Sequence, residues 1–212
     1  MSVSVQAIID KVRILINDVD AEHWTDPELV GWLNDAQQEI ATYKPDTATV
    51  SEPVPLEAGS RQTLPAGGIS LTDVTHNVTA GGAGEAIRRV NRLFLDAMRP
   101  GWQSQAKKET IKAFCFDDRD PRSFYVWPPC TAGAQANLVY VKSPEALTLE
   151  GIFGLQDTYS VPAASYVAFR AFSKDADYAA EGSRAAEFYA HFSSYLAGKE
   201  AGEQNSEPPR QR

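Results

Sequence analysis

Apolar residues recur at helical spacing at both ends of this chain and lose that spacing in the middle. Val5, Ile8, Ile9, Val12, Leu15 and Ile16 mark one face of a helix behind a capping Ser4. In "TDPEL", Thr25 is the expected N-cap, with Pro27 in the first turn and Glu28 three residues on, the pattern of a capping box. Leu29, Trp32, Leu33, Ala36 and Ile40 continue that helix until Pro45 stops it. Helical spacing returns at Ser160, read as a cap, with Tyr166, Val167, Phe169 and Phe172 supplying apolar bulk. Gly182 reads as the stop, and Ser183 as the cap of a last helix to Leu196 that Gly198 ends and whose Phe188, Phe192 and Tyr195 form a core-packing stripe.

Between these ends prolines, glycines and threonines multiply and short β-prone runs appear. "ATVSEPVPL" and "RQTLP" around "EAGS" predict one hairpin; "GISLTDVTHNV" and "EAIRRVNRLFL" around "TAGGAG" predict a second with a glycine tip. Residues 92–98 suit a short helical turn, "ETIKAFCF" and "RSFYVWP" flank an acidic turn, and "AQANLVYVKSP" is a further strand. The fold class expected is α+β. Residues 1–46 and 155–198 form a helical bundle, 47–154 a β-rich hairpin region, and 199–212 an extended C-terminal tail. The tail has no apolar side chain larger than alanine and is expected to be disordered alone, ordering on a partner.

Totals narrow the function. At 212 residues, with 43% hydrophobic and 23% charged side chains, the chain fits one soluble globular domain, or one with an extension. The net charge of -8 lacks the basic surface that a protein gripping nucleic acid needs. No apolar run approaches the ~20 residues of a membrane span, so no membrane partner is expected. The start, Met-Ser-Val-Ser-Val-Gln, lacks the features of a signal peptide, and the expectation is a protein made and used in cytosol. Cys115 and Cys130 then read as buried thiols, with a disulfide across neighbouring strands as the alternative that a reducing cytosol disfavours, and the Asn77-Val78-Thr79 acceptor triplet carries no meaning.

Catalytic signatures are missing from the sequence: it has no phosphate-binding Walker loop, no H-E-x-x-H and no G-x-S-x-G. "GGAGEA" precedes a strand-like run where a dinucleotide loop must open a helix. His23, His76 and His191 do not share a helix face. Asp117, Asp118 and Asp120, three carboxylates within four positions, are able to bind a metal, share a proton or make a polar turn. Flanked by strand-like residues and followed by Pro121, they read as a hairpin turn, because aspartate bonds its own backbone there and proline fixes φ. The mid-loop glycine and distal glutamate of a calcium loop are absent. Neither a catalytic residue, a metal nor a cofactor is therefore expected.

The layout and several phrases resemble a known family. "WTDPELVGWLNDAQQEIATYKPD", "RQTLPAGGISLTDV", "AIRRVNRLFLD", "DPRSFYVWPPCTAGAQANLVYV" and "YVAFRAFSKDADYAAEGSRAAEFYAHF" together look like the head-to-tail adaptors of short-tailed phages, also called tail tubular protein A or head-completion proteins. The resemblance spans nearly the whole chain. It implies a structural virion protein of the neck, assembled in the host cytoplasm, that is not an enzyme. Such a protein forms a ring, a dodecamer, under the portal protein, extends the DNA channel and docks a tail nozzle or tail protein. DNA then passes without specific binding, which an acidic wall favours. The resemblance also implies that the C-terminal segment, with Lys199, Glu200, Glu203, Glu207, Pro208, Pro209, Arg210 and Arg212, reaches the portal or a neighbouring subunit. The glycine tip, Gly81, Gly82 and Gly84, is a second expected contact, and Trp102 and Trp127 are either interface anchors or side chains buried in the protein's own core. The alternatives are another neck or tail-completion (stopper) protein, and a metal-dependent hydrolase built on Asp117–Asp120.

Overall fold

The computed structural model describes residues 3–117, 119–174 and 179–206, with the backbone alone at 179–181 and 199–206. In chain order the elements are α1 (Val5–Leu15), α2 (Asp26–Tyr43), β1 (Thr49–Pro55), β2 (Gly59–Thr63), β3 (Gly68–Thr79), β4 (Gly82–Ala86), β5 (Arg88–Arg89), α3 (Arg92–Met98), β6 (Ala113–Phe116), β7 (Ser123–Cys130), β8 (Gln135–Lys142), α4 (Ser160–Lys174) and α5 (Ala179–Ser206). The fold is mixed α+β. It divides into two compact units, one built from the chain up to Thr47 and from Pro144 onward, the other from Ala48–Ser143.

In the helical unit, α1 buries Val5, Ile8, Ile9 and Val12, and its cap is the expected one: the Ser4 hydroxyl accepts the Ala7 N–H at 3.2 Å. Thr25 does occupy the N-cap position of α2, but its side chain makes no capping bond, so the capping box is not formed. The first-turn carboxylates have other partners. Asp26 takes the Arg13 guanidinium at 2.6 Å, and Glu28 takes the Lys174 ammonium. α4 is lined with Ala163, Ala164, Ala168 and Ala171, all buried, and packs against α1, α2 and α5. It does not start on a Ser160 cap; a 3-10 turn, Asp157–Tyr159, leads into it, and the Ser160 hydroxyl donates back to the Asp157 carbonyl at 2.6 Å.

Helix α5 corrects two expectations. It passes through Gly182 and Ser183 without a break, and through Gly198 to Ser206. Residues 199–206 are therefore helical, where an extended tail was expected. Each glycine costs about 1 kcal/mol against alanine. Propagation adds a hydrogen bond per residue, and the alanines, glutamates and glutamines around them favour helix. Glu207, Pro208, Pro209, Arg210 and Arg212 lie outside the described residues, as do the side chains of Lys199, Glu200 and Glu203. The aromatic stripe of α5 packs inward as expected. Phe192 meets Tyr166 edge-on with ring centroids 5.2 Å apart, Phe188 stacks on Phe172 at 5.6 Å, and the Tyr195 hydroxyl donates to the Thr158 carbonyl at 2.9 Å.

The β unit is a pair of four-stranded sheets, ordered β1-β8-β3-β4 and β2-β7-β6-β5. Their shared core takes Leu71, Val74, Leu138 and Tyr140 from one sheet and Phe114, Phe124 and Val126 from the other. The hairpin expected around "EAGS" does not exist: β1 pairs with β8, β2 pairs with β7, and buried Leu56 lies where the chain crosses between sheets. Pro53 and Pro55 lack the N–H a ladder needs, which suits β1 to a sheet edge with one neighbour. The second hairpin is present, with Thr79 opposite Gly82, but "EAIRRVNRLFL" divides into β4, β5 and α3. The Asn91 side chain caps α3 by accepting the Leu93 N–H at 2.8 Å.

Buried polar side chains hold the loops. Asn77 accepts the Ile111 N–H and donates to the Ile111 carbonyl, both at 2.8 Å, which buries the only asparagine of the acceptor triplet. In the helical unit Asn34, Gln37 and Gln38 of α2 bond the backbone of Leu147, Glu145 and Pro144 where the chain re-enters that unit. Asp18 gathers the N–H groups of His23 and Trp24, each at 3.0 Å, and the Arg13 guanidinium at 2.8 Å. These bonds hold the α1–α2 loop, in which Asn17 and Ala21 adopt positive φ of 63° and 55°. For alanine that conformation costs about 1 kcal/mol.

Burial alone raises the Asp18 pKa, but the His23 and Trp24 N–H groups and Arg13 outweigh it and hold the carboxyl below its ordinary 3.8. A depressed folded value means the stabilisation is fully present above the unfolded pKa and is lost as pH falls through the folded one. Asp18→Ala, which leaves Arg13 buried beside a missing partner, is expected to cost about 3 kcal/mol in chemical denaturation at neutral pH, with a weaker loss of stability on acidification. An unchanged midpoint contradicts the network. The caps give a second expectation. Ser4→Ala should cost about 1 kcal/mol, and Thr25→Ala clearly less. Equal losses in paired melts contradict the cap assignment.

Candidate functional site

The aspartate loop is a turn joining β6 and β7. The Asp117 carboxylate accepts the Arg119 N–H at 3.0 Å, the Asp117 carbonyl accepts the Asp120 N–H at 2.9 Å, and the Asp120 carbonyl accepts the Ser123 N–H at 3.2 Å. Asp120 also faces Arg61 across 3.8 Å, while Asp118 lies outside the described residues. Among the described residues no group of three His, Cys, Asp or Glu side chains is arranged to hold a metal. His23 lies edge-on to Trp24 and His76 bonds Thr75 at 2.8 Å, each within its own loop or strand. Cys115 and Cys130 are both free and buried, and burial pushes both thiols up, away from nucleophilic character. The Cys130 thiol donates to the Glu57 carbonyl at 3.0 Å.

The glycine tip owes its composition to backbone geometry. Gly82 has φ +107°, and a Cβ on Gly84 would sit 2.9 Å from the Asn77 carbonyl oxygen; Gly81 faces open space apart from Thr79. Of the two tryptophans expected as anchors, Trp102 is not one. It is 1% exposed and donates its indole N–H to Asp96 at 2.8 Å. Trp127 is half-buried, carries the Arg99 guanidinium 4.8 Å over its ring and donates to Gln105 at 3.2 Å.

Surface features that sequence reasoning missed are more telling. Helix α3 buries only Leu95 and leaves Leu93, Phe94 and Met98 exposed at 75%, 58% and 66%. Arginines frame it: Arg89 lies 4.4 Å over Phe116 and Arg92 4.9 Å over Tyr125. The helical unit has its own apolar exposure at Ile14 and Val19. Charge is split unevenly. The chain up to Thr47 and from Pro144 carries nine Lys/Arg and nineteen Asp/Glu, whereas Ala48–Ser143 carries eleven and nine. A signal for this lay in the sequence, where residues 88–122 hold nine Lys/Arg against five Asp/Glu. Exposed apolar side chains among arginines suit contacts with other protein chains.

Among the described residues no helix is long and apolar enough to cross a membrane. No curated protein matches the chain. The family model described as SU10 adaptor protein matches residues 3–212, spanning both units. The chain, across its helical and β units, thus belongs to the SU10 adaptor protein family, a family of phage head-to-tail adaptors.

Proposed function

We propose that this phage structural adaptor forms a homo-oligomeric ring, a dodecamer, beneath the portal protein, extends the DNA channel and docks a tail protein. The observation that carries this reading is the family match across residues 3–212. The site chemistry is in keeping with it, because the Asp117 carboxylate serves a turn, Asp120 faces Arg61, and both thiols are buried. The protein has no enzymatic role in this reading and works in the virion neck after assembly in the host cytoplasm. Net charge of -8 favours passage of DNA without specific binding, since an acidic wall repels phosphates.

In this reading residues 1–46 and 155–198 act as the bundle that meets neighbours and portal, and 47–154 as the β-rich region turned to the tail or the outside. The segment from Lys199 through Glu200, Glu203, Glu207, Pro208, Pro209 and Arg210 to Arg212 reaches the portal or a neighbouring subunit. The Gly81, Gly82 and Gly84 tip is a second contact point. A helix extending past Leu196 with polar residues and no large apolar side chain has nothing to bury by itself, which supports a role on a partner.

Light-scattering mass tests the assembly. The purified chain is expected near its 23.2 kDa monomer mass and, mixed with the portal of the same phage, to join it in a stoichiometric ring. A chain that ignores the portal contradicts the reading. Limited proteolysis tests the tail: residues 199–212 are expected to be cut in the free protein and protected on the portal. Equal cleavage in both states contradicts that role.

A further inference from the structure

Two pairs of consecutive prolines occur in this chain, Pro128-Pro129 and Pro208-Pro209. The first pair is buried within β7. The second follows α5, outside the described residues, with Arg210 directly after it. Consecutive prolines favour a stiff polyproline II segment and carry no N–H. They therefore press onto aromatic rings without stranding a donor and with little entropy to lose. Grooves lined with aromatic side chains receive such segments.

The helical unit has a groove of that kind. Tyr43, at the end of α2, and Tyr189 of α5 form its walls, 59% and 39% exposed, while the buried Phe192 and Leu196 form its floor. Ser193 and the buried Lys44 complete a cleft of about 190 Å³. Tyr189 packs on Phe169 with ring centroids 5.0 Å apart and on Phe192 at 6.1 Å, so the core holds this wall in place. The Tyr189 pKa is raised, first by Tyr43, then by burial and by Glu39, which puts a carboxylate of α2 beside the cleft. Aromatic walls with an acidic neighbour suit a Pro-Pro-Arg sequence in both its apolar and its charged part.

The pair at 208–209 cannot enter the groove of its own copy. α5 runs without a break to Ser206, which lies about 26 Å along the helix from Tyr189 and about 21 Å from Phe192 at 1.5 Å per residue. Three further residues to Pro209 span at most about 11 Å. Prolines that fill the groove come from another copy.

We propose that the Pro208-Pro209 segment of one copy docks in the Tyr43–Tyr189–Phe192 groove of the next copy in the ring, with Arg210 turned to Glu39. The contact is heterologous, a segment of one subunit on a different face of its neighbour, as cyclic rings require. It rests on the ring reading above and names the neighbour, rather than the portal, as the receiver of these prolines.

Two experiments test it. Pro208→Ala with Pro209→Ala, and separately Tyr43→Ala, should keep the melting curve and raise the concentration needed for ring formation on the portal of the same phage about tenfold. In the assembled ring, Tyr43→Cys copies mixed with Pro209→Cys copies under mild oxidation should give a disulfide-linked dimer that neither gives alone. Cys115 and Cys130 are buried and do not compete. Should Tyr43→Ala lower the melting curve, the disulfide decides by itself. If the wild type assembles, both variants assemble equally well and no mixed disulfide forms, the docking is wrong and the ring reading stands. If the wild type itself fails to assemble, the ring reading falls, and this proposal with it. If only the proline variant loses assembly, the segment is received by the portal; if only Tyr43→Ala does, the groove takes another segment. Either result overturns the proposal.

Discussion

Strand β8 is the element on which the β unit depends. It runs between β1 and β3, antiparallel to both, so the last strand of the unit is zipped to its first. Thr49 stands opposite Val141, which brings the two points where the chain enters and leaves the unit side by side. A unit whose ends meet can be inserted into another without pulling it apart. The helical unit is accordingly assembled from both ends of the chain, and α4 supplies its centre through small side chains that let α1, α2 and α5 approach. β8 also carries Leu138 and Tyr140 into the shared core. The Tyr140 hydroxyl, buried and donating to Glu52 at 2.5 Å, has its pKa raised to about 12 and stays protonated at neutral pH.

Loops in both units are held by one device, a buried amide or carboxylate that saturates backbone groups. Asn77 does this for Ile111, Gln62 for Glu57 and Gly59, Asn34 and Gln37 for Leu147 and Glu145, and Asp18 for His23 and Trp24. A buried backbone group left without such a partner costs on the order of 1–3 kcal/mol, so these side chains fix loops that apolar packing alone would leave loose. The hydrogen bonds of these side chains are thus spent on holding the shape of the chain itself. Among the described residues the surface carries exposed apolar side chains, arginines stacked on aromatic rings and an uneven division of charge.

The parts legible in the sequence were those set by local periodicity. The faces of α1 and α2 followed directly from residues such as Ile8, Val12, Leu29 and Leu33, and the aspartate turn followed from aspartate and proline chemistry between two strands. Long-range pairing was not legible. "EAGS" satisfies the local rules for a hairpin, yet β1 finds its partner in β8, because only pairing across the chain buries Val54 and Leu56 against Leu138 and Tyr140. Gly182 and Gly198 read as stops, although an isolated glycine is a modest penalty that a long helix absorbs. The α3 surface was missed because "RLFLDAM" looks amphipathic until the fold shows that only Leu95 turns inward. The charge clustered at residues 88–122 was the one available clue.

The central claim is that this chain is a neck component contacting portal and tail proteins, and the most direct measurement is a reconstruction of the intact virion neck at a resolution that traces side chains. The account predicts a ring of density directly below the portal, fitted by the helical and β units of this chain, with the chain beyond Leu196 lying against the portal or a neighbouring subunit. Density for this chain placed away from the portal, inside the head or at the distal end of the tail, would contradict it.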